Sequence, residues 1–285
     1  MTHTTDHSNA STILPPPQIT YVHSEDPWSR ALIIHLIEWL TGGRKIERLY
    51  HQLKADKFDI TTFFARGLEL GNISWQTNAA QEAQIPRNGP LVFVANHPFG
   101  IIDGMMLCDL AVRTRGTFKI LINALLCQDV DLNPYFLPVD FTKGKDAAKN
   151  NLLLKQETLA TLKAGGTLLS FPAGGVATAK YASFGPLEDL PWSTFIAKLV
   201  HQSQATVVPV FFHGRNSWLF HVASSISMTL RLSMLLHEVR NKLGKTFTVT
   251  IGDPITYQMV AHLNRKALTK YLHDRTWELE TKYPK

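Results

Sequence analysis

The sequence predicts an α/β fold: a central, mostly parallel or mixed sheet flanked by helices, with a helical hairpin ahead of it. Two observations carry this. Four short runs, 91–95, 117–123, 167–171 and 206–212, are rich in β-branched side chains and too uniformly apolar for a sheet with one wet face. Between them lie stretches of helical period, one of them closed by Gly165-Gly166. With 285 residues the chain is long enough to bury a substantial core.

Residues 1–26 hold Pro15-Pro16-Pro17 and few large apolar side chains, which predicts a flexible tail. From residue 27, Trp28, Leu32, Leu36 and Trp39 recur at helical spacing until Thr41-Gly42-Gly43. A second helix follows over 45–57, with Ile46, Leu49, Tyr50 and Leu53 on one face and Arg44, Lys45, Arg48 and Lys54 among its charges. The segment 27–70 therefore forms an N-terminal helical unit. Two placements for it stay open, a lipid interface or a hairpin packed on the sheet. Residues 71–285 form the main domain.

Within the main domain, 70–77 reads as a strand and 85–90 as the turn before the next one. The run 136–139 is a short strand, and 146–163 is a helix. Ser193 is placed to cap a helix bearing Phe195, Ile196, Leu199 and Val200. Residues 218–243 form one long amphipathic segment that roofs a site, faces lipid or packs into the core. A late strand and turn over 246–255 and a closing helix over 264–282, capped by Asn264, complete the chain.

Lys and Arg outnumber Asp and Glu by 29 to 23, a net charge of +6 that favours anionic partners. There is no arginine-rich run, zinc-ligand spacing or aromatic RNA-binding signature, so neither nucleic acid nor a metal is expected. The two cysteines, Cys108 and Cys127, sit in apolar segments without a Cys-x-x-Cys pattern and are expected to be buried thiols. Residues 1–26 lack the basic-then-apolar layout of a signal peptide, and no apolar run reaches the length of a membrane span. The expectation is a cytoplasmic protein, peripheral on the cytoplasmic face of a membrane.

Chemistry concentrates where the first apolar run ends, at Asn96-His97-Pro98-Phe99-Gly100-Ile101-Ile102-Asp103-Gly104. Open α/β sheets bind ligands at the carboxyl ends of their strands. A neutral imidazole there can take a proton from a hydroxyl, and a carboxylate on its other nitrogen fixes the tautomer. His97 and Asp103 are candidates for that pair; the alternative is a polar turn in which each caps a neighbouring element. No Gly-x-Ser-x-Gly elbow, Walker loop or His-Glu-x-x-His competes with it.

This stretch resembles the signature block of the glycerophospholipid (lysophospholipid) acyltransferase family, in the longer Asn-His-Pro-Phe-Gly…Asp-Gly form of its hemolysin-like subgroup. The family usually has four residues between His and Asp, and five stand here. Phe171-Pro172-Ala173-Gly174 resembles the third block, commonly Phe-Pro-Glu-Gly, with alanine replacing a glutamate that helps bind a glycerol-phosphate acceptor. Where the second block usually ends in a phosphate-binding arginine, this chain has Lys143 and Lys145. They supply that cation or are solvated lysines beside a helix. Pro209, within a Val-rich strand, resembles the fourth block, which shapes the acyl pocket. Arg215 follows on the same sheet edge as His97, to bind an anion or pin a loop.

The resemblance covers about residues 84–256 and implies a catalytic pair His97 and Asp103. Asn96, Pro98, Phe99, Gly100, Lys143, Phe171, Pro172, Ala173, Gly174, Gly175, Pro209 and Arg215 become candidate substrate-binding residues. Backbone N–H groups of 172–175 or 98–100 would hold an oxyanion. The implied reaction is O-acyl transfer from acyl-CoA or acyl-carrier protein, as co-substrate and without a cofactor, to a lysophospholipid-like hydroxyl. The missing glutamate and arginine keep two alternatives open: a phosphate-free lyso-aminolipid acceptor, or a lipid-binding relative without activity.

Overall fold

The computed structural model describes residues 43–123, 129–140, 144–181 and 184–282. The tail 1–26, the first helix of the hairpin, Cys127 and Lys143 lie outside the described residues. Helices α1 (Gly43–Lys54) and α2 (Ile60–Leu70) lead into β1 (Ser74–Gln76), α3 (Ala79–Ala83), β2 (Leu91–Ala95) and α4 (Ile101–Arg115). Next come β3 (Lys119–Asn123), β4 (Phe136–Val139), α5 (Lys145–Lys163), β5 (Thr167–Ser170) and a hairpin of β6 (Thr178–Tyr181) and β7 (Phe184–Glu188). The last third holds α6 (Phe195–Ser203), β8 (Thr206–Phe212), α7 (Trp218–Ile226), α8 (Met228–Lys242) and β9 (Thr246–Ile251). Helices α9 (Tyr257–Val260), α10 (Arg265–Trp277) and α11 (Leu279–Lys282) close the described chain.

Seven strands form one sheet in the order β1-β9-β8-β2-β5-β3-β4, and β6–β7 stand apart as an antiparallel pair. Every neighbour pairs in parallel except β8 with β9, so the sheet is mixed. β2 sits at its centre, with all five of its residues solvent-free. Leu91, Phe93 and Ala95 join the core under α2 and α4, whereas Val92 and Val94 face the core under α6 and α10. This period-2 split explains why the run is apolar throughout: each residue meets a covered face.

Several boundaries differ from expectation. The strand expected over 70–77 is only Ser74–Gln76, because Gly71 caps α2 and Asn72 turns the chain with φ 49°. The helix after Trp192 starts at Phe195 with Thr194 as its cap, while the Ser193 hydroxyl still accepts the Phe195 N–H at 3.2 Å. The long segment 218–243 is two helices, since Ser227 adopts extended backbone (φ −158°, ψ 141°) between α7 and α8. Asn264 caps α10 as expected, accepting the Ala267 N–H at 3.0 Å. Cys108 is a free, buried thiol whose pKa burial pushes up.

α1 turns Ile46, Leu49, Tyr50 and Leu53 inward and packs against α2 and α8, so it roofs part of the molecule. Its far end is anchored: Lys54 Nζ lies 3.0 Å from Asp129 Oδ1, and the Tyr50 hydroxyl donates to the same carboxylate. Burial and the Asp129 charge push the Tyr50 phenol above its ordinary range. At the opposite edge of the sheet, Arg115 gathers the amino ends of β2 and β5. Its guanidinium donates to Pro86 O and Gly89 O (both 2.6 Å), Gly165 O (3.0 Å) and Thr167 Oγ1 (2.9 Å).

Hydrogen bonds to a charged donor are worth about 1.5–3 kcal/mol, so Arg115→Ala should lose about 2–3 kcal/mol in urea denaturation. An unchanged midpoint would show that the loops hold themselves.

Candidate active site

At the carboxyl end of β2 the chain leaves the sheet, and Asn96 continues the ladder with its side chain. Its amide nitrogen donates to Phe212 O at 3.0 Å and its oxygen accepts the Phe212 N–H at 2.8 Å, with no exposed surface. The ends of β2 and β8 are thereby tied, and both amide atoms of Asn96 face backbone. His97 follows. Its ring stacks on Phe171 at 4.0 Å between centroids and 25° between planes, while its carbonyl accepts the Ala177 N–H at 2.7 Å.

Asp103 lies 0% exposed in the first turn of α4, with Oδ1 3.1 Å from His97 Nδ1. The ring N–H does not point along that line, so the contact is electrostatic and Nδ1 makes no aligned hydrogen bond. Two backbone donors hold the carboxylate, Phe99 N–H on Oδ2 and Gly104 N–H on Oδ1, each at 2.8 Å. The five-residue spacing is absorbed at Gly100, whose φ of 90° and ψ of −103° open the turn before α4. A Cβ there would meet Leu235 Cδ2 at 3.0 Å and Val176 Cγ2 at 3.3 Å, so glycine is required twice over.

Beside the pair opens a largely apolar cavity of about 890 Å³. His97, Gly100, Phe171, Pro172 and Gly174 line it, with walls from α1, α2, α4 and α8. Asn96, Pro98, Phe99, Ala173, Gly175, Pro209 and Arg215 are not in its lining. Pro209 pairs with Val94 and lies beside Gly252, whose N–H its carbonyl accepts at 2.8 Å. Arg215 is exposed and donates to Gly185 O at 3.1 Å, the loop-pinning arrangement. The Gly174 N–H is committed to Phe171 O at 2.9 Å, and Phe99 N–H to Asp103. Within 98–100, where Pro98 has no N–H, only that of Gly100 remains.

Two further groups stand behind the site without any local sequence signal. Lys242 Nζ sits 5.1 Å from the centroid of the Phe99 ring and donates to Glu238 Oε2 (2.9 Å) and Asn216 Oδ1 (2.5 Å). Burial pulls the Lys242 pKa below its ordinary value, against the opposing charges of Glu238 and Asp103. Burial alone would raise Glu238, but Lys242 and the Ser217 hydroxyl and N–H outweigh it and hold the carboxyl below 4.5. Asp189 is the second group. Trp192 Nε1 donates to its Oδ2 at 2.9 Å, Oδ1 is buried without a hydrogen bond, and burial raises its pKa despite the nearby His97.

A family model described as Acyltransferase matches residues 48–280. The chain belongs to the acyltransferase family. Among curated relatives, the lyso-glycine lipid O-acyltransferase of Bacteroides thetaiotaomicron is 35% identical over 182 residues, covering 61% of this chain and 64% of that protein. Its namesake in Phocaeicola vulgatus is 32% identical over 182 residues, covering 61% of this chain and 62% of its own length. The matched part is thus under two thirds of either relative. The crystal structure of the 1-acyl-sn-glycerophosphate acyltransferase PlsC from Thermotoga maritima superposes with a TM-score of 0.51 at 15% identity, covering 90% of this chain and 99% of that one. This acyltransferase-family chain therefore has the PlsC fold. No helix among the described residues is long and apolar enough to cross a membrane.

Because folded Glu238 titrates below its unfolded value, the unfolded chain binds more protons as pH falls from about 4.5, and the stability that Glu238 contributes at neutral pH is lost through that window. Glu238→Gln should cost about 3–5 kcal/mol at neutral pH and flatten the acid limb of a denaturation series below about pH 4.5. A variant with the parent's acid limb would remove Glu238 as its cause.

Proposed function

We propose that this protein transfers a fatty acyl group from a thioester, acyl-CoA or acyl-carrier protein, to the hydroxyl of a lyso-lipid. One observation carries the reading: His97, backed by a fully buried Asp103 at 3.1 Å, forms the wall of a large apolar cavity that can take an acyl chain. Each buried methylene contributes about 0.8 kcal/mol, so chain burial supplies the binding energy and leaves His97 at the reacting end.

In this mechanism His97 Nε2 takes the proton of the acceptor hydroxyl as its oxygen attacks the thioester carbonyl. The Asp103 carboxylate stabilises the imidazolium that forms. The tetrahedral oxyanion is met by the Gly100 N–H. Collapse breaks the carbon–sulfur bond, and the thiolate leaves with the proton from His97. No acyl-enzyme or metal is invoked.

For the acceptor we favour a phosphate-free lyso-aminolipid over a lysophospholipid. The matched relatives are lyso-glycine lipid O-acyltransferases, and the glutamate that helps bind a glycerol-phosphate is replaced by the buried Ala173. The exposed face of α1, with Arg44, Lys45 and Arg48, suits an anionic bilayer and peripheral attachment at the cytoplasmic face. Charge reversal at Arg44 and Arg48 should reduce sedimentation with anionic vesicles, and undiminished sedimentation would rule that face out.

The deciding assay incubates radiolabelled palmitoyl-CoA or palmitoyl-carrier protein with lyso-glycine lipid or lysophosphatidate. His97→Ala should lower turnover roughly a thousandfold or more, with little change in folding, and Asp103→Asn should lower it substantially. Near-normal turnover by His97→Ala refutes the assignment, and preference for lysophosphatidate refutes the acceptor.

A further inference from the structure

Six charged side chains are buried among the described residues: Asp103, Asp109, Asp129, Arg231, Glu238 and Lys242. Five of them meet a partner. Asp109 lies 3.4 Å from Arg113, Asp129 3.0 Å from Lys54, Glu238 2.9 Å from Lys242, and Asp103 3.1 Å from the His97 ring. Arg231 is 8% exposed and makes no ion pair among the described residues. Its guanidinium donates from Nη2 to Val176 O, which occupies one of its five N–H groups. A second buried donor borders the same stretch of chain. His221, 2% exposed, accepts the Ala179 N–H on Nδ1 at 3.2 Å, so its proton sits on Nε2, and that nitrogen is buried without a hydrogen bond. A charge removed from water without a counter-charge is costly, and an arriving anion would offset that cost.

The place of Arg231 ties it to the reacting pair. On α8, Arg231, Leu235 and Val239 recur every four residues along one face, and Leu235 and Val239 line the cavity with His97. Nη2 lies 3.6 Å from the position a Cβ on Gly175 would take, between Gly174 and Val176, which line the same cavity. A single peptide unit joins the guanidinium to the histidine. Val176 O accepts from Arg231, and the N–H of that same peptide, on Ala177, donates to His97 O at 2.7 Å. The surface is also close, since Leu190, which touches Gly175, is 42% exposed. The head of a lipid whose chain fills the cavity would lie here.

Charge and shape choose the anion. The fork of a guanidinium matches the two oxygens of a carboxylate, and one buried positive charge balances one negative charge. A phosphate monoester brings about −1.5 to −2 at pH 7. An amino-acid head joined to its chain through nitrogen keeps a free carboxylate. We propose that Arg231 seats the carboxylate of an amino-acid headgroup on the acceptor lyso-lipid and so selects that head over a phosphate. The inference rests on the acyl-transfer reading and deepens it by naming the residue that reads the acceptor.

The test compares the full chain with Arg231→Gln, whose amide can still donate to Val176 O. Three acceptors are used with a palmitoyl thioester: N-acylated lyso-glycine lipid, its methyl ester, which lacks the charge, and lysophosphatidate. The parent should favour the acid over the ester about tenfold or more in KM, and the variant should lose that preference. A parent that treats acid and ester alike overturns the proposal, whether or not the variant folds. So does a variant that keeps the preference, or one whose KM rises equally for both, which would make Arg231 a pin for the 174–177 turn. A larger rise for lysophosphatidate than for lyso-glycine lipid would assign the arginine to phosphate and overturn the carboxylate seat. Equilibrium binding of the acid and its ester without donor is the second readout, and the variant should bind the acid about tenfold more weakly. Acid-selective binding by the parent, lost in the variant, with no turnover of any acceptor keeps the seat and removes acyl transfer. Turnover without discrimination between acid and ester does the reverse.

Discussion

A carboxylate with no exposed surface governs the reactive edge of this protein. Burying Asp103 would be prohibitive unless its charge were met, and it is met by two backbone N–H groups and the edge of an imidazole. Those donors lie on Phe99 and Gly104, so satisfying the carboxylate forces the chain from 99 to 104 into one tight shape. Gly100 makes that shape accessible, Phe171 fixes the imidazole ring from its face, and Asn96 fixes the strand end from which it springs. The His–Asp pair is therefore less a feature placed on the fold than the way this fold ends its central strand.

The cavity joins the pair to distant parts of the chain. His97, Gly100 and α4 form one wall, and the others come from α1 and α2 before the sheet begins and from α8 near its end. Because Tyr50 and Lys54 of α1 both meet Asp129, and Lys54 meets Asp131 as well, the roof is tied to residues 129–131 after β3.

How much of this the sequence disclosed depends on the range of the interaction. Strands 91–95 and 206–212 match their runs residue for residue, because burial on both faces leaves an unbroken apolar word. His97 and Asp103 were visible through a local motif, but the question raised by their five-residue spacing needed the backbone angles of Gly100. Lys242, Glu238 and Asp189 left no trace, since each is defined by neighbours on other elements. Arg215 met Gly185 because of a β6–β7 hairpin that no turn signal announced. The break at Ser227 hid inside a pattern that stayed amphipathic on both sides.

Asn96 and Phe212 are 116 residues apart, and β2 lies between β5 and β8, both of them later in the chain. A nascent polypeptide emerging from the ribosome therefore carries its histidine motif long before it can organise it. Strand pairing over such distances is slow, and the exposed apolar core strand must wait for its neighbours. The order of synthesis makes the reactive turn one of the last features to mature, so an incomplete chain carries the His–Asp motif without the geometry that joins it.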